Sequence, residues 1–233
     1  MALFSVLKLI HGGIVHNKTH ELMMLAQNKY YVVPTVNVDG VAYIEDIYLR
    51  NGTFVEKRSN MHILNKTCSA TRAGVDLNRN YGFLWGKFTD KEECSGNMWA
   101  GAYAFSEPET RAIRDFMLAK RYEIKFVSNF HAFGKGIITP NNAEFPNNMA
   151  KSHAKIRDLM KEFSEEANIP QGTDIGPISE LLGFITGGAA GDWISQELDI
   201  AAVEPEIGSA DDYFENWLPK DVQTAFRIVN ENY

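Results

Sequence analysis

Ile124-Lys125-Phe126-Val127-Ser128-Asn129-Phe130 reads as a strand, with His131 at its carboxyl end. β-Branched and aromatic residues dominate the run, as a pleated, half-buried segment requires. Before it, Ser106-Glu107-Pro108-Glu109 opens a helix that runs to about Arg121, with Ser106 as N-cap and Glu109 completing a capping box. After it, residues 136–140 form a short strand, 149–167 a long amphipathic helix, 189–198 a helix, 200–207 a strand and 219–232 a closing helix. Residues 168–188 read as a long loop containing Gly and Pro, of the kind that usually carries function. Strands alternating with helices predict an α/β fold, a three-layer α/β/α sandwich. In such sheets ligands sit beyond the carboxyl ends of the strands, where His131 and Glu206 both fall.

The amino-terminal part is less regular. Residues 1–10 are apolar nearly all round and read as a buried helix ending at Gly12-Gly13. A basic leader region and a small-residue cleavage site are both missing, so a signal peptide fits less well. Residues 20–28 are a short helical segment, and 29–37 (KYYVVPTVN) a strand entering a turn at Asp39-Gly40. Residues 41–67 read as irregular, with strand pieces and a polar loop. Neither repeats nor a low-complexity linker divide the 233 residues, which are read as one domain.

Composition narrows the function classes. An apolar fraction of 45% and a charged fraction of 23% describe an ordinary globular chain, and a net charge of −7 argues against a nucleic-acid partner. No apolar run is long enough to span a bilayer. Two cysteines, Cys68 and Cys94, accompany three glycosylation sequons at Asn17, Asn51 and Asn65. That combination favours a secreted or secretory and lysosomal setting and a glycoprotein.

Gly74-Val75-Asp76-Leu77-Asn78-Arg79-Asn80-Tyr81 carries the first chemistry. A guanidinium fork and an amide donor stand side by side near an acid, which suits the grip of a carboxylate. Taken alone, Asn78 and Arg79 could equally be solvated loop residues. The flanks add to the pattern: Val36-Asn37-Val38-Asp39-Gly40, Lys57-Arg58-Ser59, Gly101 to Glu109, Asn129-Phe130-His131, Gly191-Asp192-Trp193 and Glu206-Ile207-Gly208 follow in order.

This ordered set, across essentially the whole chain, resembles the zinc metallocarboxypeptidases of the pancreatic A/B type. The resemblance implies a zinc-bound water that removes the C-terminal residue of a peptide, peptide or protein C-termini as partners, a monomer, and a mixed, mostly parallel sheet. It implies one zinc ion held by His₂Glu, a set known for carboxypeptidase A. His131 matches the third ligand. The His-x-x-Glu pair that supplies the other two is absent, since none of the six histidines has a Glu three residues on. The expectation is therefore a catalytic domain that lacks its front end and the first strands of its sheet, with little or no hydrolysis by these 233 residues. The alternative is a pseudoenzyme or a peptide C-terminus-binding module without zinc.

The resemblance also implies individual roles. Glu206 matches the catalytic acid that takes a proton from water and passes it to the leaving amine. Arg58 matches the arginine that stabilises the oxyanion. Asn78 and Arg79 match the clamp on the substrate's terminal carboxylate. Asp76 matches an acid that orients the first zinc histidine, which this sequence does not contain. Phe184 stands where a mobile tyrosine closes over the substrate, and Gly191 where side-chain preference is set. Glu204 shares a sheet face with Glu206 and is expected to line the pocket for the departing side chain, favouring a basic one. Pro205 between them implies an edge or distorted strand. Cys68 and Cys94 match a family disulfide that encloses the 74–81 stretch.

Overall fold

The computed structural model describes residues 2–64, 67–132, 134, 136–140, 156, 158 and 174–206, the first few by backbone alone. The chain divides into two compact units, 1–38 and 39–233. The expected helices at 149–167 and 219–232 lie wholly or mostly outside the described residues, although 156 and 158 are helical.

In the first unit, α1 spans Ala2–Ile10, runs into a π-helical turn at His11–Val15, and is followed by α2, Thr19–Gln27. Both helices match the sequence reading. The burial of α1 does not, because Leu7 is 54% exposed. What is buried is Gly12 and Gly13, the latter so close to Leu25 and the Glu21–Leu22 backbone that a side chain would crowd them. Residues 29–37 form no strand, and Tyr30, Tyr31 and Val33 are exposed. Strand propensity needs a partner ladder to act on, and Pro34 removes one donor from the run.

Helix α3, Val38–Asn51, lies in the second unit from Asp39 onward, where a turn and irregular chain were expected. Val41, Ile44, Tyr48 and their neighbours recur at helical spacing, and Arg50 Nε donates to Asp46 Oδ1 one turn earlier at 2.7 Å. Helix α4 spans Pro108–Lys120, with Pro108 in its first turn and Glu107, not Ser106, as N-cap. The Ser106 hydroxyl is committed elsewhere: it donates to Glu107 Oε1 at 2.6 Å and receives Asn80 Nδ2 at 2.9 Å.

Strands β1 (Phe126–Ser128), β2 (Gly136–Ile138), β3 (Asp174–Gly176) and β4 (Ala201–Glu206) form one mixed sheet in the order β1-β4-β2-β3. β1 runs parallel to β4 and β2 parallel to β3, while β2 and β4 are antiparallel. The stretch expected as a long loop contains β3 and helix α5, Ile178–Leu182. Helix α6 spans Ala190–Leu198. Alternate residues of β4 face opposite layers. Ala202 packs with Met117 of α4 and Trp193, Ile194 and Leu198 of α6, while Val203 packs with Ile156, Ile137 and Ile175.

β4 is an interior strand, so of the edge or distorted strand expected from Pro205 the edge is overturned. The proline lacks a donor but keeps its acceptor, and its carbonyl receives His131 N at 2.8 Å. Val203 O likewise receives Asn129 N at 2.9 Å. These two bonds extend the β1–β4 pairing to His131 and bring it beside Glu206.

Candidate active site

The 74–81 stretch folds as a short 3-10 turn, Leu77–Arg79, capped by Asp76, whose Oδ1 accepts Asn78 N at 3.0 Å. Gly74 permits its entry, with φ at +92° and the Asn60 carbonyl where a side chain would stand. The turn is held on both sides by buried amides. Asn60 exchanges backbone contact with Val75 through Asn60 N and Val75 O at 2.9 Å, and its Oδ1 accepts Val75 N at 2.9 Å. Asn80 donates to Ala100 O at 2.8 Å and Tyr103 O at 3.0 Å, and accepts Thr110 Oγ1 at 2.6 Å. Both networks converge on the buried Glu107.

Three charged side chains then meet. Arg58 Nε donates to Asp76 Oδ2 at 2.6 Å, and the carboxylate raises the guanidinium above its ordinary pKa. Arg79 is 3% exposed. Its Nη1 donates to Asn78 O at 2.5 Å, Asp76 Oδ2 lies 4.0 Å from its Nε, and that Nε is buried with no hydrogen-bond partner among the described residues. Burial pushes its pKa down.

Asn78 and Glu204 serve the start of α6. Ala190 N donates to Asn78 Oδ1 at 2.8 Å and Gly191 N to Glu204 Oε1 at 3.2 Å, so two otherwise orphaned helix donors are met, one of them by a carboxylate. Gly191 is small for a reason, since a Cβ there would stand 3.2 Å from Glu204 Cδ. Glu204 Oε1 also receives Asn129 Nδ2 at 3.1 Å and Asn78 Nδ2 at 3.4 Å. His131 Nε2 faces the same amides, Asn129 Nδ2 at 2.9 Å and Asn78 Nδ2 at 3.5 Å, with Glu204 Oε1 at 3.9 Å. Glu206 is half-buried, and desolvation raises its pKa, with His131 and Arg58 pulling it back.

The structure thus gathers Arg58, Asp76, Asn78, Arg79, His131, Gly191, Glu204 and Glu206. Phe184 is 38% exposed just after α5 and makes no ring contact among the described residues. Asp76, expected to have nothing to orient, instead anchors Arg58. Cys68 and Cys94 are disulfide-bonded. The sequence reading missed Asn60, Asn80, Asn129 and Glu107. Asn129 was findable, because it lies two residues before His131 and shares its face of the strand.

Zinc does not fit the described residues as they stand. They offer one imidazole flanked by two amides, and among them no three His, Cys, Asp or Glu side chains converge to hold a metal ion. No described helix is long and apolar enough to cross a membrane.

Comparison with known proteins agrees with this architecture. The sequence pattern that describes zinc carboxypeptidases matches residues 5–226. Human carboxypeptidase O is 26% identical over 181 residues, covering 76% of this chain and 45% of the relative. Carboxypeptidase B of Astacus astacus is 27% identical over 200 residues, covering 83% and 61%. Among solved structures, bovine thrombin-activatable fibrinolysis inhibitor in complex with tick carboxypeptidase inhibitor superposes with a TM-score of 0.61 at 25% identity, over 82% of this chain and 64% of that one. A second structure of that inhibitor gives 0.72 over 91% of this chain and 50% of that one, at 24% identity, a likeness of fold. The chain spans about half the length of the curated relatives it matches. The family is one of zinc enzymes, and the chain belongs to it: it is a member of the zinc carboxypeptidase family.

Proposed function

We propose that this chain carries the substrate grip of a zinc-dependent metallocarboxypeptidase, which releases C-terminal amino acids from peptides. The observation that supports it most is Arg79, a buried guanidinium whose Nε, 4.0 Å from Asp76 Oδ2, makes no hydrogen bond among the described residues. A buried guanidinium nitrogen left without an acceptor is costly, and a ligand carboxylate would complete it. Asn78 stands beside it as an amide donor. Requiring a terminal carboxylate at this place makes the activity an exopeptidase activity. Arg58 would bind the carbonyl oxygen of the bond to be cut. Glu206, with its proton affinity raised by burial, would take a proton at its carboxylate and return it to the leaving amine nitrogen. Gly191 and Glu204 would line the pocket for the departing side chain, with Phe184 closing over it.

Zinc, when bound in this family, supplies an activated water. Here His131 is the one matched ligand, so the 233 residues alone are expected to bind peptide C-termini rather than cleave them. The second reading, a peptide C-terminus-binding module without zinc, draws on the same geometry, since grip and metal site are separable. We place the protein as a monomer in a secreted or lysosomal setting, and as a glycoprotein: Asn17 and Asn51 are exposed, and Asn65 lies outside the described residues. The test is native mass spectrometry with one equivalent of zinc, followed by assay for released C-terminal amino acid. No bound metal and no release are expected. Stoichiometric zinc with chelator-sensitive release would overturn that.

A further inference from the structure

We propose that the cavity beside Arg58 is a subsite for an acidic side chain on the peptide residue that precedes the departing one. The proposal rests on Asn78 and Arg79 being the C-terminus grip. The cavity holds about 160 Å³ and is lined by Glu56, Arg58, Thr71, Arg72 and Asn97. Pockets for whole small molecules run to roughly 300–1,000 Å³, so this one suits a single side chain.

Arg58 links the cavity to the site. Its Nε holds Asp76 in the site, and the same residue forms a wall of the cavity. The carbonyl assigned to Arg58 belongs to the penultimate residue, whose side chain is therefore the nearest one to the cavity.

The chemistry of the walls selects the class of ligand. Among the described residues, the Arg72 guanidinium and the Asn97 amide have no hydrogen bond or ion pair, and both residues, which are exposed, line this space. The backbone that carries Arg72 is fixed. Arg72 N donates to Ser69 O at 3.0 Å, the Ser69 and Thr71 hydroxyls lie 3.1 Å apart, and the segment is tied by the Cys68–Cys94 bridge. A guanidinium fork matches a carboxylate in a way it matches no neutral side chain. Glu56 opposes the anion and sets a ceiling on the preference.

The experiment uses labelled peptides that differ only in Glu or Gln at the penultimate position, each as free acid and as C-terminal amide, titrated against the full chain by fluorescence anisotropy. The Glu peptide is expected to bind roughly two- to fivefold more tightly, the range of an exposed ion pair. Arg72→Gln should erase that difference without changing affinity for the Gln peptide, and Glu56→Gln should widen it. Equal binding of Glu and Gln free acids, or a preference that survives Arg72→Gln, would overturn the subsite alone. Equal binding of acids and amides would overturn the grip at Asn78 and Arg79, and with it the placement of the subsite.

Discussion

Arg58 Nε and Asp76 Oδ2 lie 2.6 Å apart, joining two segments 18 residues distant in sequence. The other Asp76 oxygen caps the turn that presents Asn78 and Arg79. One buried carboxylate therefore ties the residue assigned to the oxyanion to the residues assigned to the clamp. Displacing either end should disturb both.

Replacing Asp76 with Ala removes the carboxylate that Arg58 Nε donates to and uncaps the turn. Arg58 is about a third exposed, which tempers the loss. Destabilisation of about 2–4 kcal/mol is expected, below the figure for a fully buried pair. Urea denaturation midpoints of Asp76→Ala and Asp76→Asn check this, with Asn keeping part of the cap.

Glu206 binds its proton more tightly in the folded chain than in the unfolded one, because burial penalises its charged form. The cost of that charge is absent below the ordinary carboxylate pKa and grows as pH rises through it. Glu206→Gln should therefore match the parent in stability in acid and exceed it at neutral pH. Thermal melts of both proteins from acid to neutral pH read the divergence directly.

The helical half of the fold was legible in the sequence because α2, α4 and α6 carry clear apolar spacing and end signals. Residues 29–37 were misread because strand propensity says nothing about whether a partner exists. Helix α3 was missed through reliance on Asp39-Gly40 as a turn, although the spacing of Val41, Ile44 and Tyr48 pointed to a helix. The clamp pair, His131 and Glu206 were visible as motif residues. Asn60 and Asn80 were not, because buried amides work through backbone atoms far away in sequence, and only the fold brings those together.

Lys57 is 5% exposed, donates to Ser59 Oγ at 2.8 Å and to Ala73 O, and burial pulls its pKa from the usual 10.5 down to about 8, against the field of Glu93. The unfolded chain then binds more protons between these values, so stability from this group rises as pH climbs from about 8 to 10.5. Relative to Lys57→Met, the parent should gain up to about 3 kcal/mol across that window. Denaturant curves at both ends measure the gain.

The Cys68–Cys94 bridge closes a loop with a sequence separation of 26 around the 74–81 turn. In the chain-entropy model such a loop contributes about 3–4 kcal/mol. The Cys68→Ser, Cys94→Ser double variant should lose stability of that order, seen as a lower urea midpoint, and should bind peptide C-termini less tightly.

The central claim is that Asn78 and Arg79 grip a free carboxylate. Calorimetric titration of the full chain with one peptide, as free acid and as C-terminal amide, tests it most directly. The free acid should bind at least roughly tenfold more tightly, as a charge-assisted hydrogen bond to a buried guanidinium implies, and Arg79→Gln should abolish the difference. Equal affinity for acid and amide, or a difference that persists in Arg79→Gln, would contradict it.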